Sequence, residues 1–309
     1  MQRVLTTATL VGLLIATAAA FAITERLKLV KSPITGTHIS KVLSPTCGCA
    51  RGKATISVRL RHADSVTIEI LDSKRNEVRL LVAGEPVPRG RSVFRWDGRT
   101  NLGFRAPDGT YRVQIHLDRQ HRTILLPNRV LLDTTPPEVL DARPNVSQIS
   151  PDGDGIADAA SIHYRLSKRA HALVYLGGRR VIRSRSSKPD ASVVWTGRTN
   201  GEPLPPGTYT LTVGAVDLAG NVTPVDRRVR VRIEIRYIEL AAKRIVAAPG
   251  RLFDVGVSTD AESYAWKLGA HKGSWHGPLL RTRAPSRRGR YTLTVSYLGH
   301  RSRAAVIVR

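Results

Sequence analysis

Beyond residue 54 apolar and polar residues alternate in short runs: ATISVRL at 54–60, VTIEI at 66–70, YRVQI at 111–115, YTLTV at 209–213, VRVRI at 229–233 and YTLTV again at 291–295. Period two puts one face of each run in a core and the other in water, so each predicts a strand. Many of the wet positions are Arg. Turn signals separate the runs, among them Pro107-Asp108-Gly109, Pro205-Pro206-Gly207 and Ala219-Gly220-Asn221. No stretch after residue 31 sustains a 3.6-residue period. Short strands with turns at this spacing predict an all-β chain of stacked β-sandwiches.

One run breaks the pattern. Residues 4–23 hold no charge and, at 1.5 Å per residue, are just long enough to cross a bilayer. Arg3 precedes them; Arg26, Lys28 and Lys31 follow. Two readings stand: a signal peptide cleaved near Ala20-Phe21-Ala22, or an uncleaved anchor. Length favours the anchor, because a signal core is usually about 7–15 residues. Residues 1–31 are therefore read as a membrane segment with a short juxtamembrane region. The expected location is the cell membrane, single-pass with extracytoplasmic domains; secretion after cleavage is the alternative.

The strands repeat. Ser44-Pro45 and Ser150-Pro151 each open a unit, and sixteen residues on each reaches a leucine, Leu60 and Leu166, through ATISVRL or ASIHYRL. Trp96-Asp97-Gly98-Arg99-Thr100-Asn101 matches Trp195-Thr196-Gly197-Arg198-Thr199-Asn200; Gly109-Thr110-Tyr111 matches Gly207-Thr208-Tyr209. A unit of about 75 residues is too large for a solenoid repeat and suits a small sandwich. A fainter third copy has Trp275-His276-Gly277 and Gly289-Arg290-Tyr291. Trp96, Tyr111, Trp195 and Tyr209 are read as framework: the indoles fill a thin core, the glycine after each permits positive φ, and a tyrosine hydroxyl can tie back to nearby backbone.

The runs SVTIEILDSKRNEVRLL and FRWDGRTNLGFRAPDGTYRVQI resemble the immunoglobulin-like domain of the bacterial flagellar hook-capping protein. ISPDGDGIAD followed by VVWTGRTNGEPLPPGTYTLTVGAVDLAGNVT resembles the same family, and Asp133-Thr134-Thr135-Pro136-Pro137 resembles a linker between bacterial immunoglobulin-like repeats. The resemblance spans about residues 40–230. It implies tandem immunoglobulin-like β-sandwiches over 37–134 and 135–233, with 234–309 a diverged third of the same class. Such domains serve as stalks, scaffolds and adhesive modules in exported proteins, so the resemblance implies fold more than function.

Charge adds a partner class. The 309 residues carry 49 Lys and Arg against 24 Asp and Glu, a formal net charge of +25. Arg179, Arg180, Arg183 and Arg185, then Arg228 and Arg230, then Arg287 and Arg288 form dense clusters. They would attract an anionic cell-wall polymer with salt-sensitive affinity. Nucleic acid is the weaker reading, since no reader motif occurs and aromatic residues are 5% of the chain. A protein of an envelope or flagellar-type assembly is the other expected partner, reached through an exposed strand edge.

Asp152, Asp154 and Asp158 alternate with glycines, a spacing that can offer Ca²⁺ oxygens or simply open a domain with an Asp/Gly turn. No other cofactor is implied. At the aligned place the first unit has Cys47-Gly48-Cys49. A local disulfide bracing that turn is favoured over two free thiols. No nucleophile elbow, phosphate loop, dinucleotide fingerprint or metal-spaced histidine pair occurs. The expectation is a non-catalytic envelope protein.

Overall fold

The computed structural model describes residues 11–22 and 32–309. Residues 11–22 are helical with exposed side chains. The remainder of the apolar run 4–23 and its charged flanks lie outside the described residues. No helix among the described residues is long and apolar enough to cross a membrane. The chain divides into two compact units, Met1–Thr134 and Thr135–Arg309.

The first unit is one β-sandwich. Its smaller sheet runs Ile34–Ile39, Ala54–Leu60, Gly90–Trp96. The larger runs Val42–Leu43, Arg122–Leu132, Gly109–Leu117, Asp64–Leu71, Glu77–Val87. The chain changes sheets at residues 40–41, so Val42–Leu43 lies parallel to the end of Arg122–Leu132 while the other neighbours are antiparallel. Alternation explains the core: Ile68, Ile70, Val113, Ile115, Val130 and Leu132 face inward from one sheet, and Ile56, Val58 and Trp96 from the other. Each such aliphatic side chain removed from water contributes about 1.5–3 kcal/mol.

The second unit contains two sandwiches built to the same plan. In one, Asp190–Trp195, Ala160–Leu166, Val139–Pro144 faces Gln148–Ile149, Val229–Ile235, Gly207–Asp217, Ala170–Leu176, Arg179–Arg183. In the other, Glu239–Leu240, Leu252–Ser258, Leu279–Arg283 faces Arg244–Ala247, His300–Val308, Gly289–Tyr297, Ser263–Leu268, His271–His276. Both keep the parallel edge strand, Gln148–Ile149 on Val229–Ile235 and Arg244–Ala247 on His300–Val308. The third sandwich thus shares a strand plan with the others although its sequence has diverged.

The framework residues explain the repeated motifs. Trp96 is fully buried, meets Tyr111 edge-on at 4.9 Å, and donates from Nε1 to the Arg99 carbonyl at 2.9 Å. Trp195 is as deeply buried, 6.0 Å from Tyr209, but its Nε1 has no acceptor. Tyr111, Tyr209 and Tyr291 each donate their hydroxyl to the carbonyl four residues back, at Pro107, Pro205 and Arg287. The glycine after each of the first two tryptophans has a second role. Gly98 (φ 77°) and Gly197 (φ 64°) lie beneath Pro45 and Pro151, where a Cβ would come within 2.7 Å and 2.9 Å of the proline Cγ. The proline of the opening turn is therefore seated on the backbone behind the tryptophan.

Candidate functional site

The opening turns come first. In the first sandwich Cys47 and Cys49 form a disulfide, their Cα atoms 5.2 Å apart. Gly52 N–H donates to the Cys49 carbonyl and Ser44 N–H to the Arg51 carbonyl, closing the loop on itself. In the second sandwich the aligned turn brings oxygens of Asp152, Asp154 and Asp158 within 4.8 Å of one another. Its own amides take most of them. Asp158 accepts from Gly153 at 2.6 Å and Gly155 at 2.8 Å; Asp154 accepts from Ile156 at 2.7 Å; Asp152 accepts from Asp154 at 3.2 Å. Burial pushes the Asp152 carboxyl above its ordinary range, against the pull of the Asp154 amide and the Ser150 hydroxyl.

Within the same unit, Asp154 and Ile156 share a cleft of about 550 Å³ with Asp260, Glu262 and Tyr297. Ser150 donates its hydroxyl to Asp152 Oδ2 at 3.1 Å, which leaves both Asp260 carboxylate oxygens buried without a hydrogen-bond partner. Burial raises the Asp260 carboxyl above its ordinary value against the pull of the nearby Ser150 hydroxyl and its own amide, with a smaller push from Asp152 and Asp154. Nothing local in the sequence marked Asp260, because the acidic turn it faces lies about a hundred residues earlier in the chain.

The outer faces of the three larger sheets differ in chemistry at matching positions. In the first sandwich Leu80, Glu69, Gln114 and Leu125 lie in one row across four strands. Gln114 Nε2 donates to Glu69 Oε2 at 2.8 Å, closing the row on itself.

In the second sandwich the row is Arg180, Tyr175, Thr212, Arg230. Arg228 lies over the Tyr175 ring, its guanidinium carbon 3.8 Å from the centroid. Gly214 makes room, since a Cβ there would stand 3.3 Å from Arg228 Cγ. This face gathers Arg180, Arg183, Arg228 and Arg230 from the sequence clusters. Arg179, which donates to Asn200 Oδ1, and the exposed Arg185 flank it. Arg287 and Arg288 are exposed in the third sandwich, in the turn before Gly289–Tyr297.

In the third sandwich the row is Lys272, Lys267, Thr294, Arg303, and the next is Ser274, Ala265, Ser296, Arg301. Lys267 stands where the second sandwich has Tyr175, and Ser296 where it has Gly214, so there is neither a ring for Arg301 to cover nor a gap to lie in. The result is an open groove of about 740 Å³ with cations along its sides and Ala265, Gly273, Ser274, Thr294 and Ser296 on its floor. Lys267, Lys272, Arg301 and Arg303 escaped the sequence reading because they are isolated along the chain and meet only through strand register. One signal was available: no Asp or Glu follows Glu262.

No curated protein matches the chain. Among solved structures, the I9–I11 tandem from titin covers 88% of this chain and 99% of its own at 13% identity, with a TM-score of 0.34. The titin I-band fragment I67–I69 covers 90% and 99% at 11% identity, TM-score 0.33. The Bacteroides ovatus protein SGBP-B of a mixed-linkage glucan utilization locus, solved with a mixed-linkage heptasaccharide, covers 90% and 68% at 13% identity, TM-score 0.25. Scores this low add nothing to the fold, which rests on sheet order and on the framework contacts. At the level of sequence, residues 44–120, the span that runs from the disulfide-closed turn through Trp96 and Tyr111 in the first sandwich, match the model of the FlgD Ig-like domain.

Proposed function

We propose that this chain is a non-catalytic scaffold or adhesion module of the cell envelope, displayed outside the cytosol by its N-terminal segment. The observation that carries the reading is the threefold repetition of one strand plan, with the corner tyrosine in all three sandwiches and the buried tryptophan and proline-seating glycine in the first two; Trp275 of the expected third copy lies instead on the edge strand His271–His276 of the larger sheet. A chain that repeats a rigid framework offers length and surface. The Cys47–Cys49 disulfide supports an oxidising compartment, because such bonds are rare in reducing cytosol. The uncharged run 4–23 supports attachment to, or passage through, a membrane.

The test is topological. Intact producing cells are treated with a membrane-impermeant thiol reagent before and after mild reduction, and the full chain is then isolated. Labelling of Cys47 and Cys49 in intact cells, only after reduction, is the expected result. Free thiols that label only on lysis would overturn the reading.

A further inference from the structure

We propose that the outer face of the third sandwich's larger sheet is a binding site for a linear, hydroxyl-rich anionic polymer. Its anionic groups are carboxylates or phosphates on a saccharide or polyol backbone. This goes beyond the scaffold reading and does not depend on it.

The argument starts from an electrostatic cost. Lys267 and Lys272 are direct cross-strand partners, and like charges in that relation destabilise a sheet. Proteins ordinarily relieve such a pair with a neighbouring carboxylate. Here none is available: Arg244–Ala247, His300–Val308, Gly289–Tyr297, Ser263–Leu268 and His271–His276 contain no Asp or Glu. The equivalent sheet of the first sandwich holds Asp64, Glu69, Glu77 and Glu85, and that of the second Asp217 and Glu234. Lys267, Lys272, Arg301 and Arg303 form no ion pair among the described residues, and all four are exposed. The face therefore holds uncompensated positive charge around a groove, and an incoming anion removes the repulsion as it binds.

Geometry narrows the ligand. Lys272, Lys267 and Arg303 sit on successive or next-but-one strands, so their row spans roughly 14 Å at the usual strand spacing. That row suits several charges on one chain lying across the strands better than a single small anion. Thr294, Ser296 and Ser274 supply hydroxyls between the cations. The floor is of small residues, which lets a polymer approach the backbone. Trp266, the aromatic residue at the groove, packs against the sandwich core. Single-stranded nucleic acid is bound chiefly by stacking bases on exposed rings, and this face lacks a platform of that kind. In the second sandwich the matching face is closed by Arg228 over Tyr175, so the open site belongs to the third.

The test uses the purified full chain, with polygalacturonate as the carboxylate probe, poly(glycerol phosphate) as the phosphate probe and poly(dT) as the contrast, each across a salt series. Wild type is expected to bind at least one of the first two, more tightly than poly(dT). The double variant Lys267→Ser/Lys272→Ser is expected to weaken that binding by roughly 10-fold and to lower the slope of log affinity against log salt by about 1.4, the value for two phosphate contacts to a flexible single chain. Arg287→Ser/Arg288→Ser removes the same charge from an exposed turn and should change affinity less than about 2-fold if the groove is the site. Melting of the groove variant should hold or rise, since it removes a like-charge pair, and this keeps a binding loss distinct from unfolding. Equal losses in the two double variants, no binding by wild type to either anionic polymer, or tighter binding of poly(dT) would each overturn the proposal. The scaffold reading would survive all three and fails only by its own topological test.

Discussion

The turn at 44–52 and the turn at 150–158 occupy the same place in two sandwiches and are held by different chemistry. Both present a proline to a positive-φ glycine behind a buried tryptophan. The first is then closed by a covalent bond between Cys47 and Cys49; the second by carboxylates of Asp152, Asp154 and Asp158 accepting the turn's own amides. What the fold requires at this place is a short loop that returns to the strand without letting the proline lift. Either solution provides it. The covalent turn answers to redox conditions, and the acidic turn to protons.

The largest expected effect tests the shared part. Gly98→Ala and Gly197→Ala each force a side chain into left-handed backbone and against proline, Leu43 and Leu132 in one case, Ile149 and Ile235 in the other. Left-handed strain of about 1–2 kcal/mol plus overpacking of about 1–3 kcal/mol gives a loss near 3 kcal/mol. Hydrogen exchange of the full chain, read by mass spectrometry, assigns the loss to its own sandwich. The disulfide keeps the first turn from yielding, so Gly98→Ala should be the worse of the two and should approach Gly197→Ala on reduction. Equal losses under both conditions would show that the turns do not differ in stiffness.

Next in size is the tryptophan pair. Trp96→Phe deletes a buried N–H that has an acceptor in the Arg99 carbonyl, whereas Trp195→Phe deletes one that has none. Both lose ring volume, so their difference isolates the hydrogen bond. Trp96→Phe should be worse by about 1 kcal/mol in denaturant unfolding.

The braces themselves come third. For a three-residue loop the chain-entropy relation gives the disulfide about 1.5 kcal/mol. Asp158→Ala removes two amide bonds to a charged acceptor and should cost a similar amount, about 1–2 kcal/mol, given the exposure of the turn. Cys47→Ser/Cys49→Ser and Asp158→Ala, compared by local exchange at 44–52 and 150–158, check this. The amides already occupy both Asp158 oxygens, so millimolar Ca²⁺ is expected to leave exchange at 150–158 unchanged. Protection that rises with Ca²⁺ and is lost in Asp158→Ala would make the turn an ion site instead.

Much of this comparison was readable in the sequence. Period-two runs marked the strands because one face of each is buried. The Trp-x-Gly and Gly-x-Tyr repeats marked the first two sandwiches as copies because a corner tyrosine and a buried indole admit few substitutes. The seating of Pro45 on Gly98 was not readable, since the partners are separated by four strands and neither residue alone signals the contact. The groove of the third sandwich was hidden for a related reason. Lys267 and Lys272 look unremarkable five residues apart until a hairpin sets them face to face, and Arg301 and Arg303 reach them only through the Gly289–Tyr297 strand. Long-range register decides such sites, and a local pattern does not carry it.

The smallest expected effect concerns protons and separates the Asp72 loop from the Asp152 and Asp260 segments by sign. In the first unit, Asp72 is held below the ordinary carboxylate value of 3.8 mainly by hydrogen bonds from the Asn76 side chain and amide. A carboxyl depressed in the folded state contributes stability above its unfolded pKa and loses it as pH falls through the lower folded one. In the second unit, Asp260 and Asp152 are raised above 3.8, chiefly by burial. A raised carboxyl works the other way: the folded state binds the proton more readily, so its contribution is fully present below the unfolded value and is lost as pH rises through the folded one. Unfolding followed by local exchange from pH 6 down to pH 3 should therefore show the 150–158 turn and the Asp260 segment gaining relative to the Asp72 loop. Asp260→Asn should flatten that gain, because an amide keeps the shape and cannot titrate, while Asp72→Asn should flatten the opposing loss. A pH profile of the second unit that survives Asp260→Asn unchanged would mean that its buried, unpartnered carboxylate is not what couples this unit to protons.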